Sequence, residues 1–250
     1  MQSHPDVYIR LLGELHVLRP DGTVVAADEW RTSKTMDLLR LLAISDGRPV
    51  RPESLTEKLW PNASPERARA SLRTACSHIR HAVRTNCVVR QLQGIVLQDV
   101  RVDVVEFLDH ARRVRTAAFD AEHAQVLALA RSAERLYGGP FHAFDDDSDW
   151  ARTERDHLER ARHEMSCAAA AAALELRLFH EALDFASCAV RSDHSSETAH
   201  RHLMRAHAGL GEVGGALRVF ESYRAHLAEE LGAEPSPQTR DLHLQLLRGT

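Results

Sequence analysis

The sequence of 250 residues predicts a mainly α protein, in which a small α+β domain is followed by an all-α domain. Three observations indicate this fold class. Residues 7–26 alternate apolar and polar side chains around a Pro-Asp-Gly turn, which is typical of short antiparallel strands. Residues 32–84 show helical periodicity with N-terminal capping residues. Residues 103–250 are predicted to be helical throughout, with a Gly-Gly-Pro break at residues 138–140.

Three helices are predicted in the first domain, each with its own start signal. The first spans about residues 32–45, and the second spans residues 52–60 and begins on a proline. The third begins after Ser64, whose hydroxyl can cap it, and has Pro65 at its first helical position. Its apolar residues recur every three to four positions and form one inward stripe: Leu72, Cys76, Ile79 and Val83.

A β-hairpin is predicted directly after the third helix. Its strands are residues 87–92 and 95–97, and Gln93-Gly94 forms the tip. Strands, three helices and a hairpin follow one another in the order of a winged helix-turn-helix. In that fold the third helix enters the major groove of DNA and the hairpin is the wing.

The stretch Ser64–Leu97 is basic in a chain whose net charge is −4. It has no acidic residue between Glu66 and Asp99, and it contains six arginines: Arg67, Arg69, Arg73, Arg80, Arg84 and Arg90. Residues 1–100 hold 14 Lys and Arg against 11 Asp and Glu, whereas residues 101–250 hold 18 against 25. We therefore place the domain boundary between residues 100 and 101 and expect only residues 1–100 to meet nucleic acid. The simpler alternative for such a helix face is a solvated surface.

Angular position on the third helix gives each candidate DNA contact a role. Residues near the centre of the exposed face are candidates for base edges, which give sequence preference: Arg73, Thr74, Ser77 and His81. Residues at the ends and edges of this helix, on the hairpin and on the first helix are candidates for phosphates, which give affinity: Arg67, Arg69, Arg80, Arg84, Arg90 and Lys34. His81 is equally compatible with a plain surface histidine.

A weak repeat marks the second domain. Glu181-Ala182-Leu183 recurs as Gly215-Ala216-Leu217 after 34 residues, and an alanine-rich helix precedes each copy. Paired helices at this period are typical of tetratricopeptide repeats, in which small residues allow close helix contacts. The second domain, residues 101–250, is therefore predicted to be a tetratricopeptide-like array.

Several function classes lack their sequence signals. The four cysteines show no metal-ligand spacing, so we expect reduced thiols and no metal site. The sequence contains none of the motifs GxxxxGK[ST], HExxH and GxSxG, so we expect no cofactor and no enzyme activity. The N-terminal residues do not resemble a signal peptide, and no apolar run is long enough to cross a membrane. We expect a cytoplasmic protein associated with the nucleoid.

Four stretches together resemble a known family. They are KTMDLLRLLA at residues 34–43, SLRTACSHIRHAV at residues 71–83, LYGGPF at residues 136–141 and ALRVFESYRAHLAEELGAEPSPQT at residues 216–239. The chain resembles the Streptomyces antibiotic regulatory protein family, in which an OmpR-type winged helix precedes a bacterial transcriptional activator domain. The resemblance covers roughly residues 7–248, and the last stretch is its most specific part.

This resemblance implies a transcriptional activator. Such a protein binds direct repeats in double-stranded promoter DNA near the −35 element as a homodimer. It recruits RNA polymerase through the sigma or alpha subunit to a gene cluster for antibiotic biosynthesis. Three positions depart from the family pattern. His78 and His81 stand where arginine is frequent, and Ile95 follows Gly94 where the family has tyrosine. We therefore expect the hairpin to contribute less to DNA affinity than it does in relatives.

Two other functions stay open on the sequence. The helical repeats could hold a peptide, so that the protein is an adaptor and its N-terminal domain is an interaction module. A repressor could also use the same scaffold, because sequence does not determine the sign of regulation.

Overall fold

The computed structural model of the chain describes residues 7–144 and 146–249, without the side chain of Leu231. Residues 1–6, Asp145 and Thr250, which the predicted domains include, lie outside the described part. The strands are β1 Val7–Arg10, β2 His16–Leu18, β3 Val88–Gln91, β4 Gly94–Leu97 and β5 Val100–Val102. The helices are α1 Ser33–Ile44, α2 Pro52–Leu59, α3 Pro65–Val83, α4 Asp103–Phe119, α5 His123–Leu136, α6 Asp149–Glu175, α7 Phe179–Ser192, α8 Glu197–Gly209, α9 Val213–Leu231 and α10 Pro237–Arg248, with a short 3-10 helix at Ala27–Trp30.

The predominance of helix after residue 102 confirms the mainly α fold class. The start signals also act as expected, because the Thr35 N–H donates to Thr32 Oγ1 at 3.2 Å and the Arg67 N–H donates to Ser64 Oγ at 3.4 Å. These side chains satisfy backbone donors that the first turns of α1 and α3 leave unpaired. Helix bounds near a proline or a capping hydroxyl were therefore predictable to within about two residues.

The N-terminal sheet differs from the predicted meander. β1 pairs antiparallel with β2, but its other neighbour is β5, which runs parallel to it and places Val102 opposite Ile9. Residues 23–26 form no third strand, and Val24 makes only an isolated bridge to Leu18. The strand β5 pairs with the edge of β1 that β2 leaves free. A local alternation of apolar and polar residues does not predict this pairing, because the two strands are far apart in the chain.

A buried carboxylate joins this sheet to the start of α4. Asp103 is fully buried and accepts hydrogen bonds from the N–H groups of Leu11 at 2.8 Å, Leu12 at 3.0 Å and Val104 at 2.7 Å. Burial raises the pKa of Asp103, although the three N–H donors favour its charged form. Asp103 therefore holds the turn after β1 against the first residues of α4.

The chain forms two compact units that do not follow the predicted boundary. The first contains the residues up to 108 together with 135–157, and the second contains 109–134 and 158–250. In the first unit, the Phe144 N–H donates to Asp37 Oδ1 at 2.9 Å, and the ring of Phe141 contacts the buried Trp150 edge-on. Residues 135–157 thus pack on α1, so the first compact unit is larger than a division after residue 100 would give. The division after residue 100 stays a prediction about which parts of the chain fold independently.

The second unit contains helices that pack one after another, α7 on α8, α8 on α9, and α10 on both α8 and α9. The 34-residue repeat places Ala182 on α7 and Ala216 on α9, and both are fully buried. A side chain at Gly209 on α8 would overlap the ring of Phe179 on α7. Small residues thus lie where neighbouring helices approach closely, as the repeat pattern predicts.

Candidate nucleic-acid interface

The helix α3 buries one face and exposes the other. Its buried residues are Ala68, Leu72, Ala75, Cys76, Ile79, Ala82 and Val83, which confirms the predicted apolar stripe. Three candidates for base contacts, Thr74, Ser77 and His81, are exposed on the opposite side. The helix therefore offers a solvent-facing ridge whose polar groups are hydroxyls and an imidazole.

Four arginines surround one groove between α3 and the hairpin β3–β4. Arg69, Arg73 and Arg80 line it from α3, and Arg90 lines it from β3. Its apolar lining comes from Leu72, Cys76 and Ile95, and α2 contributes Pro52 and Glu53. Glu53 approaches Arg69 at 3.8 Å, and both side chains are exposed. The groove therefore combines a strongly positive rim with an apolar floor.

Arg80 also connects α3 to the hairpin. Its Nε donates to the Val88 carbonyl oxygen at 2.8 Å, and the residue is half-buried. This bond leaves the terminal nitrogens of the guanidinium as further donors at the groove. Arg80 thus has a structural role that its position on the helix did not reveal.

The hairpin is fixed to the segment before α2 by backbone pairing. The N–H and carbonyl of Ile95 exchange hydrogen bonds with those of Val50, both at 2.8 Å. Gly94 has φ +153°, and a Cβ at this position would overlap the Val50 carbonyl. Ile95 is buried, so its side chain packs inward and adds no exposed group to the hairpin. The tip instead exposes Leu92 completely, a residue that the sequence placed only at the end of a strand.

The remaining candidates lie elsewhere on the first unit. Lys34 and Arg67 line a second cleft together with Trp60, and neither lines the arginine groove. Arg84 follows the last residue of α3 and adopts the left-handed conformation with φ +60°. The structure therefore brings together four of the ten predicted contact residues in the groove, with three more on the adjacent ridge.

A buried arginine that sequence reasoning missed holds the end of α3. Arg19, which is 5% exposed, donates from Nε to the Ala82 carbonyl at 2.8 Å and from a terminal nitrogen to Glu29 at 2.5 Å. The side-chain hydrogen bond from Arg19 lowers the pKa of Glu29 to about 2. Because a helix leaves its last carbonyls unpaired, a cation here stabilises the C-terminal turn. No local sequence pattern connects residue 19 with residue 82.

The thiols near the groove are poor nucleophiles. Burial raises the pKa of Cys76, and it raises the pKa of Cys87 to about 11, so both stay protonated at neutral pH. Within residues 7–144 and 146–249, no group of three or more His, Cys, Asp and Glu side chains is arranged to hold a metal ion. No helix in these ranges combines the length and apolar character needed to cross a membrane.

Comparison with known proteins identifies the family. Residues 102–247 match the model of the bacterial transcriptional activator domain, which covers more than half of the chain. The regulatory protein AfsR of Streptomyces griseus is 25% identical over 229 residues, which are 88% of this chain and 23% of that protein. The transcriptional regulatory protein EmbR of Mycobacterium tuberculosis is 26% identical over 259 residues, covering 95% of this chain and 62% of that protein. The chain thus spans about a quarter of AfsR and less than two thirds of EmbR.

The fold also has a solved counterpart. The structure of Mycobacterium tuberculosis EmbR in complex with a low-affinity phosphopeptide aligns with 98% of this chain and 66% of that chain, with a TM-score of 0.79 and 22% identity. The chain therefore belongs to the bacterial transcriptional activator domain family, and within it to the Streptomyces antibiotic regulatory proteins. The resemblance inferred from the sequence is confirmed.

Proposed function

We propose that the first domain is a winged helix-turn-helix that binds double-stranded DNA, with α3 as the recognition helix and β3–β4 as the wing. The convergence of Arg69, Arg73, Arg80 and Arg90 on one groove beside an exposed polar ridge carries this proposal. Clustered guanidinium groups bind the phosphate backbone, and a helix of 19 residues with an exposed polar face fits the major groove.

The protein on this proposal is a transcriptional activator and has no catalytic role. Its family and its regulatory relatives AfsR and EmbR support this choice. It binds direct repeats near the −35 element as a homodimer and recruits RNA polymerase through the sigma or alpha subunit. Its target is a gene cluster for antibiotic biosynthesis, and it acts in the cytoplasm on the nucleoid.

A mobility-shift titration tests DNA binding. The full chain is titrated against promoter fragments with direct repeats, alongside the variant Arg69→Ala/Arg73→Ala. The matched control is Arg112→Ala/Arg113→Ala, which removes two exposed arginines of α4 far from α3 in sequence. We expect binding by the wild type and the control, with at least a tenfold loss in the groove variant. Absence of wild-type binding at low salt, or equal losses in both variants, would refute the proposal.

The sign of regulation needs a separate measurement. A reporter gene behind the bound promoter should rise in expression when the protein is supplied. A fall in expression would leave DNA binding intact and identify a repressor on the same scaffold.

A further inference from the structure

The arginine groove has a regular geometry along α3. Arg69, Arg73 and Arg80 are separated by four and seven residues, so at about 100° per residue they project within about 40° of one another. At about 1.5 Å per residue, Arg69 and Arg80 lie about 16 Å apart along the axis. One strand of B-DNA advances about 3.4 Å per nucleotide, so this line spans four to five nucleotides. Arg90 faces the same groove from the hairpin.

The floor of the groove does not match base edges. A base edge presents donors and acceptors, and its recognition requires side chains with a matching pattern. Here the floor is formed by Leu72, Cys76 and Ile95, each of which is at most 7% exposed. An apolar floor between guanidinium groups instead matches a strand whose deoxyribose is apolar on its faces and whose phosphates are anionic.

The exposed ridge of α3 is chemically different from the groove. Ala70, Thr74, Ser77 and His81 lie about 40–140° around the helix from the three arginines, and all four are exposed. The methyl groups of alanine and threonine can contact the thymine methyl group, and hydroxyls and imidazole can bond base donors and acceptors. This ridge contains no arginine.

We propose that the groove between α3 and the hairpin holds one sugar–phosphate strand, with Arg73 as a backbone clamp, and that base preference comes from the ridge Ala70, Thr74, Ser77 and His81. The proposal rests on the proposed DNA-binding function and assigns its parts to different residues. Arg73 therefore contacts phosphate and not guanine, which reverses the role that its angular position alone predicts. Arg90 acts on the same strand from the hairpin, although Ile95 beside it is buried.

Salt dependence separates the two roles. Each neutralised phosphate contributes about −0.9 to the slope of log K against log salt concentration. Fluorescence anisotropy is measured with the full chain on its best duplex and on a scrambled duplex at several salt concentrations. Arg73→Ala should reduce the slope by about one and weaken both duplexes by the same factor. Ser77→Ala and His81→Ala should keep the slope and reduce the ratio between the two affinities.

Conservative replacement supplies the decisive control. Arg73→Lys keeps a point charge for phosphate but loses the bidentate fork that guanine recognition needs. We expect Arg73→Lys to restore most of the slope and to leave the sequence preference unchanged, with unchanged far-UV circular dichroism.

Three outcomes would overturn the inference. A loss of preference at one base pair in Arg73→Ala with an unchanged slope would place Arg73 on a base. Unchanged preference in Ser77→Ala and in His81→Ala would remove the ridge from base recognition. Absence of wild-type binding to any duplex at low salt would overturn both this inference and the DNA-binding function.

Discussion

Replacement of Asp103 by alanine removes the acceptor that fixes the turn after β1. The carboxylate accepts hydrogen bonds from the N–H groups of Leu11 and Leu12, residues that are each 1% exposed, so water cannot replace it without rearrangement. Each buried donor left without a partner costs about 1–3 kcal/mol. We therefore expect Asp103→Ala to lower the free energy of unfolding by about 2–5 kcal/mol, a large part of the about 5–15 kcal/mol typical of a domain.

Urea denaturation followed by far-UV circular dichroism measures this loss. With a slope of about 1–3 kcal/mol per molar urea, the midpoint should fall by about 1–2 M. Hydrogen exchange should quicken in the peptide that contains Leu11 and Leu12. The matched control is Asp103→Asn, which keeps one accepting oxygen and should lose about half as much. A midpoint within about 0.3 M of the wild type for Asp103→Ala, with unchanged exchange, would refute the assigned role of this carboxylate.

Three further predictions follow from particular contacts. Gly94→Ala should lower the free energy of unfolding, measured by urea denaturation, by about 1–3 kcal/mol and weaken DNA binding. The added methyl group would overlap the Val50 carbonyl and separate the hairpin from the segment before α2. Equal stability of variant and wild type would show that the hairpin can shift freely. Gly209→Ala should destabilise the second unit by about 1–2 kcal/mol, because the overlap of the new methyl group with the Phe179 ring outweighs the gain in helix propensity. A raised midpoint of urea denaturation would contradict this prediction. Burial lowers the pKa of His202 from 6.5 to about 4, so the folded state binds fewer protons than the unfolded state below pH 6.5. The free energy of unfolding should therefore be at its full value above pH 6.5 and fall by up to about 3 kcal/mol as the pH approaches 4. His202→Gln should lack this part of the acid-induced loss.

Most helix positions follow from local signals along the chain. The caps at Thr32 and Ser64, and the proline at the first position of α10, act within a few residues along the chain, so their effect is visible locally. The same holds for the apolar stripe of α3, because burial of one helix face follows from its periodicity. The family resemblance likewise depended on contiguous stretches of sequence.

The candidate site was only partly predictable for a related reason. The sequence identified all four arginines that line the groove, but it assigned Arg73 by helix angle alone. The angle places a residue on α3 and does not say where the hairpin packs. Arg90 enters the groove because Ile95 pairs with Val50, a contact between segments that are 45 residues apart.

The sequence by itself determined the mainly α class, the helix bounds, the basic stretch Ser64–Leu97 and the family. Tertiary structure decided the parallel pairing of β5 with β1, the hold of Arg19 on the end of α3, and the groove that Arg90 shares with three arginines of α3. The physical reason is the range of the interactions. Caps, turns and helix periodicity act between residues close in the chain, whereas strand pairing and buried hydrogen bonds join residues whose separation leaves no local pattern.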